Sequence, residues 1–568
     1  MGFENIDNCF AENKLRLPNL SLLTPDGRTY EMLLLQPEGK VLANNSSKPG
    51  IGCPEMGKKI YEFLKLAKSK KVELAVTPEY SCLWSVFERI LSEETIPDIH
   101  NIWIVGCESI TIEKLNTIRE RNKQYKWIFD ESILEKRGKF VNPVCYLFNT
   151  YNTNEDLERI ILIQFKTEPM GDGGIGVERD YMIAGNKIYY IRNDEDSIHL
   201  ATLICSDTNG FEYNILKRLL LIHIQLNSSP NHGAFKMYRN KCFDTNASQD
   251  QIIVCLNWAR QTEISVEGTS DLIEINYPNS AYYSKGNITL AEDRICKNHS
   301  SGLYYTYWKL KCTHVLFFNF DEHVFHLRCT KPWQGGAIAA TAYKTGPEML
   351  NCYSWNNGKN SWRISEELDA GIALYCEGCP DPGCPLKSNN LTPINKERLV
   401  SFSTGLIEDA EWWLLEKINS VQIDDNEIIK RFTFAQNIHN EVEDFRKGHL
   451  DRFHTLKTEI LTDESNFPNF LKFLYGNCCL WYDKKHTACN LYREDARDSD
   501  PIALVVYIGE TRTPLAEEKY NKIVSLLDEC DKKTFLLWYR TGGKVEHIDY
   551  GLPGACDAKG DPRSITEV

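Results

Sequence analysis

Short apolar segments alternate with amphipathic ones over residues 28–325, and this alternation constrains the fold more than any other feature of the sequence. Residues 73–80 and 102–109 are apolar runs of strand length. Between residues 57 and 72, in contrast, the apolar side chains recur at the spacing of one helix face. Strands that alternate with helices predict an α/β fold built in layers. The other segments predicted as strands in this part are 30–37, 159–165, 197–205, 221–228, 251–258 and 315–320.

The chain is too long for one small core, because 568 residues correspond to about two to four domains. The alternation ends near residue 342, where turn-forming residues become frequent. Farther along, helical patterns dominate and are followed by a predicted strand, helix and strand. We therefore predict an N-terminal arm at 1–27, an α/β domain at 28–342, a linker at 343–394 and a smaller accessory domain of helices and mixed α/β structure at 395–568.

Residues 111–140 are highly charged and separate two of the predicted strands. Their pattern predicts helical structure. We expect the segment to be an insertion into the α/β domain, with its charges on a solvated face.

The composition argues against several classes of partner. The net charge is -14 and the pI is near 5.5, whereas a general nucleic-acid or membrane-surface binder needs a basic face. The first residues lack the apolar stretch of a secretory signal, and no run approaches the roughly 18–20 apolar residues of a membrane helix. The 20 cysteines are spread without dense regular spacing, which indicates reduced thiols. We therefore expect a cytoplasmic protein with no nucleic-acid or membrane partner.

Three predicted strands each end on a residue with catalytic chemistry. One ends at Glu79, one is followed directly by Lys166, and one ends at Cys205, while Glu178 lies just past a glycine-rich loop. Taken singly, a cysteine is more often a small buried hydrophobe, and a strand-end Glu or Lys is more often solvated. Sites in α/β proteins form beyond the carboxyl ends of strands, so the three ends together favour a single site.

Each of these side chains has a role in nucleophilic catalysis. A cysteine attacks as the thiolate and needs a base or a positive neighbour to become one. A glutamate in a closed pocket, such as Glu79, can take the thiol proton and later give it to a leaving amine. The ammonium of Lys166 can stabilise a tetrahedral oxyanion, with the backbone N–H of Ser206 as a second donor.

The order Glu79, Lys166, Glu178, Cys205 in these contexts resembles the nitrilase superfamily, the carbon–nitrogen hydrolases. The resemblance covers about residues 28–335. The segments that contain it are VTPEY, QFKTEP, LICSDTNGFE, LNSSPNHGAF and IIVCLNWARQ.

This resemblance implies a four-layer α-β-β-α sandwich that pairs with a second copy, and hence a homodimer or a larger homo-oligomer. It implies a small-molecule substrate and no metal or organic cofactor. Ser206, His232 and Asn257 are the implied substrate-binding residues, and a loop histidine without a role is an equal alternative for His232.

The implied reaction cleaves a non-peptide amide or, less often, a nitrile. Cys205 adds to the carbonyl and forms a thioester, while Lys166 and the Ser206 N–H hold the oxyanion. Glu79 shuttles the proton and later activates water. Glu178 would orient Lys166 and the substrate.

The sequence departs from the superfamily pattern at several points. Ser206 stands where an aromatic residue is usual, and Thr167, Glu168 and Pro169 stand where a His-Leu-Pro-like run is usual. These differences bear on the substrate more than on the chemistry. Residues 343–568 resemble no family that we recognise.

Two other functions fit the sequence. One is a binding or scaffold module that keeps the fold without turnover, which the intact set of four residues argues against. The other is a hydrolase effector controlled by a partner-sensing C-terminal domain. A synthetase with a glutamine-fed ammonia channel is disfavoured, because no Gly-x-x-x-x-Gly-Lys-Ser/Thr loop is present to bind ATP.

Three cysteines lie close together in the predicted linker, at Cys376, Cys379 and Cys384. A structural zinc site needs four ligands, and only the distant Cys352 could supply the fourth. A loop with free thiols is therefore favoured over a zinc knuckle.

Overall fold

A computed structural model shows two compact units, residues 1–368 and 369–568. The residues that the structure describes are 2–44, 49–170, 176–210, 220–226, 250–270, 272–275, 278, 280–286, 290–308, 313–331, 333–335, 338–340, 346–365, 381, 383–406, 440–482, 489–496, 501–527 and 532–549.

In the described part of unit 1 the α-helices are α1 (Ile6–Glu12), α2 (Gly57–Lys70), α3 (Trp84–Ser92), α4 (Ile112–Arg121), α5 (Val177–Tyr181) and α6 (Glu292–Ser300). Its strands are β1 (Gly2–Asn5), β2 (Thr29–Gln36), β3 (Lys40–Asn44), β4 (Gly50–Gly52), β5 (Leu74–Val76), β6 (Ile102–Gly106), β7 (Lys126–Ile128), β8 (Pro143–Tyr151), β9 (Leu157–Phe165), β10 (Lys187–Arg192), β11 (His199–Ile204), β12 (Leu220–Leu226), β13 (Asp250–Leu256), β14 (Thr262–Val266), β15 (Leu272–Ile275), β16 (Ala281–Lys285), β17 (Leu303–Trp308), β18 (Thr313–Phe318), β19 (His323–Thr330), β20 (Trp333–Gly335), β21 (Ile338–Ala340), β22 (Glu348–Asn356) and β23 (Ser361–Ile364). In the described part of unit 2 the α-helices are α7 (Pro393–Ser403), α8 (Asn440–Thr455) and α9 (Thr513–Val524), and the strands are β24 (Cys478–Leu480), β25 (Leu491–Arg493), β26 (Leu504–Glu510), β27 (Phe535–Thr541) and β28 (Lys544–Asp549).

Two large mixed sheets, with a four-stranded and a two-stranded sheet beside them, lie in unit 1 together with its helices, so the α/β prediction is confirmed. One of the large sheets has the strand order β1-β10-β11-β12-β13-β16-β18-β17, and the other has the order β23-β22-β19-β2-β5-β6-β8-β9-β7. Parallel pairs lie in the middle of each, with β11, β12 and β13 in the first and β2, β5 and β6 in the second. The segments predicted as strands are strands in the structure, with boundaries that differ by a few residues.

The direction of the strands decides where their ends meet. In the nine-stranded sheet β6 is antiparallel to β8, and β8 is antiparallel to β9. Strand β9 therefore runs in the same direction as β5 and β6, and the carboxyl ends of β5 and β9 lie at the same edge of the sheet.

Side chains connect the two large sheets. Gln164 on β9 donates from its amide nitrogen to the carbonyl oxygen of Thr202 on β11, at 2.9 Å. Its amide oxygen accepts from the backbone N–H of Tyr189 on β10, also at 2.9 Å. Farther along, the rings of Phe318 and Phe325 stack with centroids 4.7 Å apart. These contacts place β11, which directly precedes Cys205, against the sheet that contains β9.

The boundaries of the α/β unit in the structure differ from those predicted from the sequence. Strand β1 pairs with β10, so the first residues are part of a sheet instead of a separate arm. Strands β22 and β23 extend the nine-stranded sheet through β19, and unit 1 continues to residue 368. The turn-forming residues near 356–361 connect the hairpin of β22 and β23, which is why their composition suggested a linker.

The segment 111–140 is partly helical and has its charges on a solvated face, as expected, and it also contributes to the sheet and the core. Its helix is present as α4, but β7 follows and pairs with β9 at the end of the nine-stranded sheet. The charged side chains face outward, whereas the apolar side chains between them are buried in the main core. Those core residues are Leu115, Ile118, Tyr125, Trp127, Phe129 and Ile133.

Unit 2 contains the predicted strand, helix and strand. Strands β26 and β27 are parallel and are connected through α9, and β28 adds an antiparallel strand that the sequence analysis did not predict. The predicted helical region of this unit is seen in α7 and α8, while residues 407–439 lie outside the described part. Among the helices that the structure describes, none is long and apolar enough to cross a membrane.

Candidate active site

The ends of β5, β9 and β11 bring three predicted residues together. Glu79 lies three residues beyond the end of β5, and Lys166 directly follows β9. Cys205 begins a 3-10 helix, Cys205–Asn209, immediately after β11. Glu178 comes from the short helix α5 and joins the same cluster.

A buried ammonium between two carboxylates forms the centre of the site. Lys166 Nζ lies 2.9 Å from Glu79 Oε1 and 2.8 Å from both carboxylate oxygens of Glu178. Each of the three residues is at most 3% exposed. An ammonium has three N–H groups. One directed at Glu79 and one shared by the two oxygens of Glu178 leave a third for a substrate atom.

Hydrogen bonds fix both the side chain and the backbone of Glu79. The amide of Asn142 donates to Glu79 Oε1 at 2.7 Å, and the indole N–H of Trp258 donates to the Glu79 carbonyl at 2.8 Å. Gly106 lies so close to this segment that a Cβ there would be 2.2 Å from the carbonyl oxygen of Pro78. The end of β6 therefore needs a glycine to support the loop that presents Glu79.

Glu178 accepts further hydrogen bonds from Tyr80 and Met170. The hydroxyl of Tyr80 donates to Oε1, and the backbone N–H of Met170 donates to Oε2 at 2.7 Å. Tyr80 has a φ of 62°, in the left-handed region that bulky residues rarely adopt. This conformation directs the Tyr80 side chain toward Glu178. One short loop therefore presents Glu79 and also donates a hydrogen bond to Glu178.

The two carboxylates control the charge of Lys166. Burial by itself lowers the pKa of a lysine, but the negative charges of Glu178 and Glu79 outweigh burial here. The pKa of Lys166 is therefore well above its usual value, and the side chain is a permanent cation. A permanent cation in a buried site is suited to stabilising a developing oxyanion.

Cys205 has the backbone geometry of a residue presented at a sharp turn. Its φ of 45° is in the left-handed region, where residues other than glycine are uncommon. The residue as a whole is half-buried, whereas the preceding Ile204 is fully buried. Burial of the thiol raises its pKa to about 12, and the charge of Glu79 adds to the effect while Lys166 opposes it. The resting thiol is therefore protonated, and a base must remove its proton during attack.

Asp207, which the sequence analysis did not single out, connects the cysteine turn to the lysine loop. Its Oδ1 accepts from the backbone N–H and the hydroxyl of Thr167, both at 2.8 Å, and from the N–H of Glu168 at 3.0 Å. Its Oδ2 accepts from the N–H of Ile204 at 3.1 Å. Burial raises the pKa of Asp207 to about 6, although the hydrogen bonds from Thr167 and Glu168 lower it. One fully buried carboxylate thus fixes Lys166 and Cys205 relative to each other.

Replacing Asp207 by alanine should lower the free energy of unfolding at pH 8 by at least about 3 kcal/mol, because several buried donors would lose their acceptor. Asp207→Asn keeps the size and one acceptor oxygen, so its loss should be smaller. Urea unfolding of the two variants beside the wild type measures both effects. Losses below about 1 kcal/mol for both variants would show that Asp207 does not hold the two loops together.

The residues predicted to bind substrate have different positions. The Ser206 hydroxyl donates to the carbonyl of Glu168 at 2.6 Å and supports the same pair of loops. The Asn257 amide donates to the carbonyl of Pro278 at 3.0 Å and accepts from the N–H of Trp258 at 2.8 Å. The described contacts of Asn257 thus orient the residue that binds Glu79, and its contact with substrate stays a prediction.

His232, Cys376 and Cys379 lie outside the described residues, so the predictions that concern them are not tested. Cys384 is a buried cysteine. In the part of the chain that the structure describes, no group of three or more His, Cys, Asp or Glu side chains is arranged to hold a metal ion.

Sequence reasoning missed Tyr80, Asn142, Asp207 and Trp258. The sequence offers a weak signal for Asp207, a charged residue two positions after the cysteine, but Ser-Asp-Thr-Asn-Gly is also an ordinary strand exit. Asn142 and Trp258 contact Glu79 across separations of 63 and 179 residues. No local pattern predicts such contacts.

Comparisons with known proteins give matches among solved structures only, because no protein-family model and no curated protein matches the sequence. An amidase from Nesterenkonia sp. is 8% identical, with a TM-score of 0.28, over 52% of this chain and 92% of that one. Nit3 from Saccharomyces cerevisiae, a member of branch 10 of the nitrilase superfamily, is 13% identical, with a TM-score of 0.26, over 46% of this chain and 83% of that one. A glutamine-dependent NAD+ synthetase from Acinetobacter baumannii is 11% identical, with a TM-score of 0.31, over 79% of this chain and 74% of that one.

The structural matches thus include the nitrilase superfamily, which the sequence motifs resemble. Sequence identities of 8–13% and TM-scores of 0.26–0.31 give no information on activity.

Proposed function

We propose that unit 1 hydrolyses a non-peptide carbon–nitrogen bond, an amide in preference to a nitrile, through a thioester on Cys205. The observation on which this depends is the buried Lys166 ammonium between Glu79 and Glu178, beside a cysteine in a left-handed turn. This arrangement combines a nucleophile, a carboxylate base and a fixed positive charge in one site.

Acylation begins with Cys205 in the thiol form. The Glu79 carboxylate takes the thiol proton as sulfur bonds to the carbonyl carbon, and negative charge develops on the carbonyl oxygen. The third N–H of Lys166 and the backbone N–H of Ser206 donate to that oxygen. Glu79 then gives the proton to the nitrogen, the C–N bond breaks, and the amine leaves.

Deacylation reverses these roles with water. Glu79 takes a proton from water as its oxygen attacks the thioester carbon, and Lys166 again faces the oxyanion. The C–S bond breaks, the proton returns to sulfur, and a carboxylic acid leaves. Glu178 and Asp207 take no proton: they position Lys166 and the cysteine turn.

The finer features expected of unit 1 are part of the same proposal. The side-chain contacts between the two large sheets support a four-layer α-β-β-α sandwich. We also propose that unit 1 forms a homodimer or larger homo-oligomer, that its substrate is a small molecule, and that nucleic acid and membrane are not its partners. Control of unit 1 by a partner that binds unit 2 remains a further hypothesis.

Release of amine or ammonia from a panel of small amides, with the corresponding nitriles beside them, tests the proposal. The full-length wild type should act on at least one amide, and faster than on its nitrile. Cys205→Ala should abolish turnover, while Cys9→Ala, which removes a partly buried thiol on α1, should leave it unchanged. Turnover that persists in Cys205→Ala would contradict the mechanism, and inactivity of the wild type on the whole panel would favour the scaffold hypothesis.

A further inference from the structure

Asn142 contacts both of the charged residues on which the proposed reaction depends. Its side-chain amide donates to Glu79 Oε1 at 2.7 Å, and its backbone carbonyl accepts from the N–H of Lys166 at 2.8 Å. The residue is only 1% exposed. One buried residue therefore connects the proposed proton carrier to the cation of the site.

The local sequence and the sheet fix the position of Asn142. It directly precedes Pro143, the first residue of β8, and a residue before proline is restricted to extended conformations. Strand β8 lies between β6, whose end supports the Glu79 loop, and β9, which leads to Lys166. Because β8 is antiparallel to both neighbours, its first residues lie at the edge of the sheet where those two strands end.

Two donors share one oxygen of Glu79. Lys166 Nζ lies 2.9 Å from Oε1, the same atom that accepts from Asn142. A carboxylate can only accept, so the atom of the Asn142 amide that faces it is the nitrogen. A carboxylate oxygen has about two lone-pair sites, and the two donors occupy both of those on Oε1. A proton that Glu79 takes up is therefore bound at Oε2.

The contact with Asn142 also favours the ionised form of Glu79. A hydrogen bond donated to a carboxylate stabilises its charge and is stronger than a bond between neutral groups. The amide of Asn142 has no charge and does not exchange a proton with its neighbour at ordinary pH. It can therefore hold the base ionised and oriented without acting as an acid itself.

We propose that Asn142 is a positioning residue for proton transfer, which keeps Glu79 ionised before attack and, together with Lys166, directs the proton to Oε2. As the sulfur of Cys205 bonds to the carbonyl carbon, its S–H bond breaks and the proton passes to Oε2. The same oxygen gives the proton to the leaving nitrogen when the C–N bond breaks. The inference rests on the function proposed above, because it assigns a role within that reaction.

Unfolding measurements test the hold of Asn142 on Glu79 without a substrate. Asn142→Leu removes the donor and keeps a similar volume, and Glu79→Gln removes the charge that the donor stabilises. Urea unfolding of the wild type, the two single variants and the double variant gives the loss caused by Asn142→Leu in each background. At pH 8 the loss should be about five- to tenfold larger in the unfolding equilibrium constant when Glu79 is present. This excess should shrink as the pH falls, because protonation removes the charge.

Turnover tests the role in proton transfer. On an amide that the wild type hydrolyses, Asn142→Leu should lower kcat about tenfold at pH 7 and leave KM within about twofold. Loss of the donor raises the pKa of Glu79 relative to the wild type, so the acidic limb of the pH profile should move up by about one pH unit. A loss of stability alone would not move this limb.

Asn149→Leu is the matched control, because Asn149 is buried on β8 and its amide donates to the carbonyl of Pro97 at 2.9 Å. Its loss of stability should be the same with and without Glu79→Gln, and its pH profile should match that of the wild type. Asn142→Asp, a variant of nearly unchanged size, covers the case in which Asn142→Leu does not fold. Its carboxyl group can donate to Oε1 only while protonated, so its stability and turnover relative to the wild type should fall as the pH rises.

The outcomes separate this inference from the proposed function. If the wild type hydrolyses no amide, the proposed function fails, and the unfolding measurements decide whether Asn142 stabilises the charge of Glu79. An equal loss in both backgrounds at every pH would overturn the inference even in an active enzyme. A pH-dependent excess with an unmoved acidic limb would show that the contact is only structural and would overturn the role in proton transfer.

Discussion

Replacing Lys166 by methionine should lower the free energy of unfolding of unit 1 by about 3–5 kcal/mol at pH 8. The methionine side chain fills a similar space but leaves Glu79 and Glu178 facing each other without a cation, and both are buried. Two buried carboxylates that share a site repel each other unless one of them takes up a proton. The folded variant therefore binds a proton more readily than the unfolded chain, and its loss of stability should be larger at pH 8 than at pH 5.

The control for this variant removes one of the two charges. Lys166→Met combined with Glu178→Gln leaves only Glu79 ionised, and Asn142 still donates to it. The double variant should regain at least half of the lost stability and should lose most of the dependence on pH. Urea unfolding at the two pH values measures both effects. The charge arrangement described here would be contradicted if Lys166→Met were as stable as the wild type, or if the double variant were no more stable than Lys166→Met.

Replacing Glu79 by glutamine should reduce amide turnover by about 10²–10⁴-fold, because both proposed half-reactions need a carboxylate at this position to move a proton. Glutamine keeps the size of the side chain and an oxygen that can accept from Asn142 and Lys166. Lys166, Glu79 and Glu178 together carry one excess negative charge. Removing the charge of Glu79 should therefore leave the folded state at least as stable as that of the wild type. Initial rates on any amide that the wild type hydrolyses measure the effect on turnover, and thermal unfolding of the same variant measures the effect on stability.

The matched control is Glu168→Gln, which neutralises a neighbouring, partly exposed carboxylate whose backbone contacts Asp207 and Ser206. Its turnover should stay within about threefold of the wild type, as expected for a surface change away from the reacting atoms. Glu79→Gln with wild-type turnover would exclude Glu79 as the proton carrier. A large loss of stability in Glu79→Gln would show a structural role instead.

The sequence was sufficient to predict the strands and the residues at their ends. Glu79, Lys166 and Cys205 each follow an apolar run, and the structure brings them together with Glu178 because β5 and β9 run in the same direction. The spacing of apolar residues and the identity of the residue that follows each apolar run both depend on neighbouring positions, so they can be recognised in a single sequence.

The remaining parts of the site depend on contacts between distant residues. Asp207 holds the loop at Thr167 and Glu168, 40 and 39 residues away, and its importance comes from complete burial, which composition does not indicate. The contribution of segment 111–140 to the core was not predicted, for the same reason. Its charges are conspicuous in the sequence, but Trp127 and its apolar neighbours face the core.

The rate at which iodoacetamide alkylates Cys205, read by peptide mass spectrometry from pH 6 to 10, tests most directly whether Cys205 is a nucleophile coupled to Glu79. Because its thiol pKa is about 12, the wild-type rate should rise about tenfold per pH unit without a plateau. Glu79→Gln removes a charge that raises this pKa, so Cys205 should react about tenfold faster at pH 8. Cys9, whose thiol pKa of about 11 reflects burial and Glu4, is the internal control and should not change. A Cys205 that never reacts, or that reacts equally fast in the two proteins, would contradict the account.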